Sequence, residues 1–339
     1  MKDHDARLDL LRVAGAFAVV WVHVAADVVI ASPDAHSPAW WIANVFDAAG
    51  RWCVPIFVMV SGALLLSRNI EGKIGSFYRR RAARVFPPLV FWTAFYILLQ
   101  RHLGHAAPAM DVAKTIVKGT PYSHLWYLYM IPGLYLVTPF LRPIVTGSSA
   151  RTLSLFLVVA FTISSVETLL ACVTPDRVTT FLPTFLPFVA YFVAGRYLYA
   201  QADRAAPKLC LPTAAVCAAL VAIGTGALLP MLGPKSWAVM YSFLNPVVIL
   251  MALCVFRLGL GLQLRTGPTA AVLGRLAPIT LGIYLIHPFW QIVLGKLGLT
   301  PFLVHPALGI PLTSLAVFGL SALSAAALGA IPFLRTTVR

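Results

Sequence analysis

The sequence predicts an all-α protein: a polytopic membrane helix bundle of about ten transmembrane helices, with both termini cytoplasmic. Three observations predict it. Of 339 residues, 60% are hydrophobic and 11% charged, with a mean hydropathy of +0.85; soluble domains carry about 25% charged residues. Apolar runs recur at close to the ~20 residues that cross a bilayer. The basic residues cluster at alternate connections, as the positive-inside rule requires.

In order, the runs are 8–31, 43–66, 84–103, 124–145, 151–171, 182–201, 209–231, 237–257, 272–295 and 306–334. The connections are short and rich in Pro, Gly and Ser. With no repeat and no extramembrane domain, one domain over 1–339 is expected. Prolines within the runs (Pro55, Pro132, Pro139, Pro246, Pro288) are tolerated and kink helices. The first run is longer than a signal-peptide core and holds Arg12 and His23, so it reads as a span.

With the N-terminus inside, 18 of the 26 Lys and Arg flank inner ends, 6 flank outer ends, and Arg12 and Arg51 lie within spans. This split accounts for the net charge of +15 with the bilayer as partner and no nucleic acid. Cys53, Cys172, Cys210, Cys217 and Cys254 form no CxxC pair, so neither a disulfide framework nor a metal site is expected.

The first run, LLRVAGAFAVVWVHVAAD (10–27), carries three ionisable groups. Each costs roughly 2.5–3.5 kcal/mol at mid-bilayer on insertion scales, so a role is expected. Arg12 and His23 are eleven residues apart, about 20° from sharing a face and about 16 Å apart along the axis. Something elongated can lie between them, with its polar part near Arg12 and a reactive end at His23. Histidine is the usual general base near neutral pH. Asp27, one turn on, either orients the imidazole or is a helix end in water.

In GSFYRRRAARVFPPLVFW (75–92), between spans two and three, Arg80, Arg81 and Arg84 are three or four residues apart and form one cluster on a helix. Such a cluster recognises phosphates or anchors to anionic lipid. Trp40, Trp41, Asn44, Asp47 and Arg51 precede or enter span two. His124, Trp126 and Tyr129 open span four. Both sets suit either an aromatic belt or an acceptor site. Glu167 either pairs with Arg51 or helps bind substrate. Ser61 is a packing residue or a nucleophile. His287, before Pro288, reads as structural.

These motifs together resemble a known family. R-x10-H (Arg12, His23), VPIFVMVSGALLL (54–66), FYRRRAARVFPP (77–88), HLWYLYMIPGLYLVTPFLRP (124–143) and LGIYLIHPF (281–289) run in the order of integral membrane acyltransferase family 3. SPAWWIANVFDAAGRWCVPIF and HLWYLYM resemble the branch containing the O-acetyltransferase of enterobacterial common antigen. The resemblance implies a ten-helix enzyme of the bacterial inner membrane. It would move an acyl group, usually acetyl, from cytoplasmic acyl-CoA to a hydroxyl of a surface glycan or its lipid-linked precursor. It places the R-x10-H pair on Arg12 and His23, R-x-x-R on Arg81 and Arg84, and Ser-Gly on Ser61-Gly62. Acetyl-CoA would be a co-substrate, with no tightly bound cofactor and no metal. His23 would deprotonate the acceptor directly, or Ser61, Tyr127 or Tyr129 would carry the acyl group covalently. A proton-coupled or lipid-linked-sugar transporter is the alternative, since buried Arg, His and Glu suit one.

Overall fold

The first helix is the axis of the bundle. In the computed structural model, which describes residues 5–32, 34, 37–105, 107–173, 181–233, 235–264 and 267–338, α1 (Ala6–Ala31) is followed by α2 (Pro38–Gly50), α3 (Cys53–Leu65), α4 (Ile74–His102) and α5 (Ala109–Lys118). Then come α6 (Trp126–Gly147), α7 (Ala150–Val173), α8 (Val189–Tyr199), α9 (Cys210–Leu232) and α10 (Lys235–Met240). The chain closes with α11 (Pro246–Gly261), α12 (Pro268–Leu276), α13 (Thr280–Lys296) and α14 (Pro306–Ala330). Helix α1 packs against α2, α3, α11, α12, α13 and α14, and its Ala16, Val20, Val24, Ala25 and Val28 are fully buried. Outward faces stay apolar: Leu155 and Ile163 on α7 and Leu323 on α14 are more than half exposed. That is the surface hydrocarbon solvates, since lipid removes the penalty water would impose.

Eight stretches are long and apolar enough to cross a membrane: α1, α2 with α3, α4, α6, most of α7, α9, α12 with α13, and α14. The other two of the ten expected runs, 182–201 and 237–257, are present as interrupted helices. Run 182–201 is a 3₁₀ turn (Leu182–Phe188) containing Pro183 and Pro187, then the short α8. Run 237–257 is α10, an irregular stretch, then α11, which Asn245 caps by accepting from Val247 N–H at 2.9 Å. Proline explains both breaks, because it has no N–H and crowds the carbonyl four residues back. Pro55 does the same to Arg51, so the second span bends at Arg51 and Trp52. The arginine-rich stretch is not a loop: it is the first half of α4, which continues through Pro87 and Pro88. Lys2, Arg177, Arg265 and Arg339 lie outside the described residues.

Helices α3 and α8 meet backbone to backbone. A Cβ on Gly62 would lie 1.8 Å from Phe192 O, and one on Gly195 1.9 Å from Met59 O. Gly62 is therefore the packing residue of the Ser61-Gly62 pair. Gly62→Ala is expected to cost about 1–3 kcal/mol or more through overpacking. It would show as a lower thermal midpoint in detergent, and an unchanged midpoint would contradict this packing.

The start of α1 is tied to α8. Asp5 accepts from Arg7 Nη2 at 2.9 Å and from Tyr199 Oη at 3.0 Å. Burial alone would raise the Asp5 carboxyl, but the hydrogen bonds from Arg7 and Tyr199 outweigh it and hold it below its ordinary value. A carboxyl depressed on folding contributes stability above its unfolded value, lost as pH falls through the folded one. Asp5→Asn is expected to lower the thermal midpoint at neutral pH. The gap from wild type should narrow as pH falls below the ordinary carboxylate range.

Candidate active site

A cavity of about 290 Å³ opens among α1, α3, α4, α6 and the α12–α13 turn. Arg12, Arg68, Arg81 and Arg84 line it together with Ser61, Tyr127, Tyr135, Thr280 and Tyr284. Arg81 is held between two rings, its guanidinium carbon 5.7 Å from the centroids of Phe77 and Tyr135. Its Nε is buried with no protein partner. Arg84 is exposed at the rim. Arg12 donates to Asp9 Oδ1 at 3.0 Å. Asp9 is itself buried, an acidic partner the sequence reading did not anticipate.

Tyr284 joins this cavity to a cluster of three histidines. Its ring centroid is 5.4 Å from that of His124 and 6.0 Å from that of His287. The His287 ring lies 4.9 Å from His23 and 5.4 Å from His124. Pro288 explains why His287 is so well placed. It lacks the N–H that would have met the Tyr284 carbonyl, and His287 Nδ1 takes that carbonyl at 2.6 Å. A carbonyl only accepts, so Nδ1 carries the proton and Nε2 keeps its lone pair. Nε2 is buried and has no protein partner.

Asp27 does not reach His23. Its exposed carboxylate takes a hydrogen bond from Gln291 Nε2, which also donates to the His23 backbone carbonyl at 3.1 Å. Asp27 thus helps dock α1 on α13 as an exposed residue near the helix end, the second of its two readings, and the ring beside His23 is that of His287. Among the described residues no group of three His, Cys, Asp or Glu is placed to hold a metal ion.

A second cavity of about 500 Å³ lies beyond His23, lined by Ala26, Val29 and Ile30 of α1 with Asp47, Arg51, Trp126, Phe188, Trp237, Tyr241 and Phe243. Arg51 Nε donates to Asp47 Oδ1, and its guanidinium carbon sits 4.1 Å above the Tyr241 ring. Asn44 fixes that ring, accepting from the Tyr241 hydroxyl at 2.5 Å and donating to Ala222 O at 2.9 Å.

The family model described as an acyltransferase domain matches residues 5–329. The chain belongs to integral membrane acyltransferase family 3. The match is to the family and not to the enterobacterial branch within it. No curated protein and no solved structure matches the chain.

The remaining site expectations for this acyltransferase divide sharply. Arg12, Ser61, Arg81 and Arg84 share the first cavity. Arg80 does not: it is exposed, about 100° around α4 from Arg81. Asp47, Arg51 and Trp126 share the second cavity. His124 is only 1% exposed, so it is interior and not part of a belt. Tyr129 lines neither cavity; its hydroxyl pairs with Thr93 Oγ1 at 3.2 Å and its ring packs on Phe181. Glu167 is exposed on α7, and the carboxylate that meets Arg51 is Asp47. Trp40 is buried, and Trp41 fills the space over Gly226. Sequence reasoning missed Arg68, Tyr284 and Trp237, and took His287 as structural. The one signal available for His287 was the His-Pro pair, because proline frees a carbonyl that the preceding histidine can reach.

Proposed function

We propose that this acyltransferase moves an acyl group, acetyl by default, from cytoplasmic acyl-CoA to a hydroxyl of a surface glycan or its lipid-linked precursor, with His23 as general base. One observation carries the reading: a cavity lined by four arginines also has Tyr284 in its wall, and the Tyr284 ring lies 6.0 Å from that of His287, the neighbour of His23. Its size suits the thin pantetheine arm, and the bulkier nucleotide would stay at the mouth on Arg68, Arg81 and Arg84. Guanidinium groups match phosphate oxygens in pairs. Placed this way, the arm runs past Arg12 toward the histidines. The positive-inside distribution supports a cytoplasmic arginine-rich mouth with both termini on that side, and the membrane in this reading is a bacterial inner membrane.

In the reaction, a His23 ring nitrogen takes the proton of the acceptor hydroxyl. The oxygen attacks the thioester carbonyl, a C–O bond forms and the C–S bond breaks. CoA leaves as thiolate and recovers the proton from His23. Tyr127, a hydroxyl-bearing side chain of the same cavity, suits the developing oxyanion, whereas the Tyr284 hydroxyl is already donated to the His124 backbone carbonyl. Direct transfer needs only this base. A covalent route would fall to Ser61 or Tyr127, which share the cavity, and not to Tyr129.

His287 is a positioning residue in this reading. Its bare Nε2 suits an N–H of His23 and would hold that ring in one tautomer, as the acid does in a hydrolase triad. His287→Phe keeps a ring and removes the lone pair. It is expected to lower kcat by at least about tenfold with KM for acetyl-CoA unchanged, and to shift the acid limb of the pH–rate profile. A variant that lowers only protein yield would mark His287 as structural. The direct test of the whole reading is acetyl-CoA binding and thiol release by the purified protein in nanodiscs. Absence of any acyl-CoA affinity would favour the transport alternative.

A further inference from the structure

We propose that the second cavity is the acceptor subsite and that it binds a single neutral pyranose ring. The inference rests on the reading of the chain as an O-acyltransferase with His23 as base. Three kinds of uncommitted polar group meet in this one cavity. Asp47 Oδ2 is a buried acceptor without a partner, and Trp237 Nε1 is a buried donor without one. Among the described residues no acceptor meets Nη1 or Nη2 of Arg51, whose Nε is taken by Asp47. Buried polar groups are almost always satisfied, so orphans of both signs around one space call for a ligand offering donors and acceptors together. Hydroxyl groups do both.

The apolar walls agree. Trp126 and Phe243 are stacked, centroids 5.8 Å apart and 24° between planes, and the Tyr241 ring lies under Arg51. A pyranose presents flat C–H faces to such rings and hydroxyls around its edge. The volume, about 500 Å³, falls within the ordinary range for small-molecule sites. Charge sets the subclass. Asp47 and Arg51 neutralise each other, so a uronate or a phosphate gains no net positive partner and faces the Asp47 carboxylate. A neutral ring meets no such opposition.

Position links the cavity to the chemistry. Ala26, on its wall, is three residues beyond His23 on α1, about 4.5 Å along the axis and within about 60° of the same face. Trp126, which also lines it, is two residues from His124. A ring seated between them directs an edge hydroxyl inward to His23, while the thioester approaches from the arginine-walled cavity. The two substrates would then enter from opposite ends and meet at the histidines.

The test uses the full chain in nanodiscs, free of glycoside detergent. Methyl glycosides of neutral hexoses and N-acetylhexosamines are titrated against intrinsic tryptophan fluorescence, with the matched uronic acids and sugar phosphates as comparison. Acetyl-CoA binding is measured separately by calorimetry. Neutral glycosides are expected to bind more tightly than the anionic ones. Trp237→Phe, which keeps the ring and loses the N–H, and Asp47→Asn, which keeps the shape, are each expected to raise the glycoside Kd by about tenfold with acetyl-CoA affinity unchanged. The proposal is overturned if no neutral glycoside binds while acetyl-CoA does, if anionic sugars bind more tightly, or if both variants bind like wild type. Quenching by a brominated lipid with no glycoside binding would make the cavity a lipid site and overturn it equally. Glycoside binding that depends on Trp237 and Asp47 without acetyl-CoA affinity would keep this site and remove the donor reading.

Discussion

His23→Ala is expected to keep its affinity for acetyl-CoA and to lose turnover by roughly 10²- to 10⁴-fold, the usual contribution of a positioned base. The two effects separate because His23 does not line the arginine-walled cavity. Its ring sits past Tyr284, against His287. Truncation leaves the backbone carbonyl that Gln291 holds, so the docking of α1 on α13 survives. Thiol release followed across pH, beside calorimetric binding of acetyl-CoA, checks both halves. Near-normal turnover would move the base to His287 or His124, which complete the cluster. Loss of binding with loss of turnover would mean that the donor cavity extends to the histidines.

The arginines carry the second large effect. Arg81→Ala with Arg84→Ala is expected to raise the Kd for acetyl-CoA by about 100-fold or more, while kcat at saturation holds. A hydrogen bond to a charged group is worth about 1.5–3 kcal/mol, or roughly 10- to 150-fold in affinity, and both side chains line the cavity. Arg84, exposed at the rim, should give the more salt-sensitive share. Arg80→Ala is the internal control, because Arg80 lies off the cavity wall and should leave the Kd unchanged. Equal effects at Arg80, Arg81 and Arg84 would mean that the run acts as a lipid anchor and not as a phosphate site.

Much of the arginine-lined cavity was legible from spacing. Eleven residues between Arg12 and His23 place them on one face of any α-helix, and three residues between Arg81 and Arg84 do likewise. Spacing alone does not choose a partner. Asp27 has helical spacing from His23, yet its carboxylate goes to Gln291. Arg80 has helical spacing from Arg84, yet lies outside the cavity that Arg84 lines. Tyr129 falls two residues after Tyr127, which turns it to the other side of α6, onto Thr93 and Phe181.

The sequence by itself determined the class of protein, the order of most spans and the candidate residues on each helix. These follow from hydropathy and from the 3.6-residue period, both local properties. Only the tertiary structure decided which faces meet. It brought His287 to His23 across 264 positions of chain, put Trp237 and Tyr241 around Asp47 and Arg51, and closed α3 on α8 at Gly62 and Gly195. The reason is the solvent. In water an apolar stripe marks the buried face of a helix. In lipid both faces are apolar, and helices choose partners by close backbone approach and by a few polar contacts. Those choices are written in pairs of residues far apart in sequence, where no local period records them.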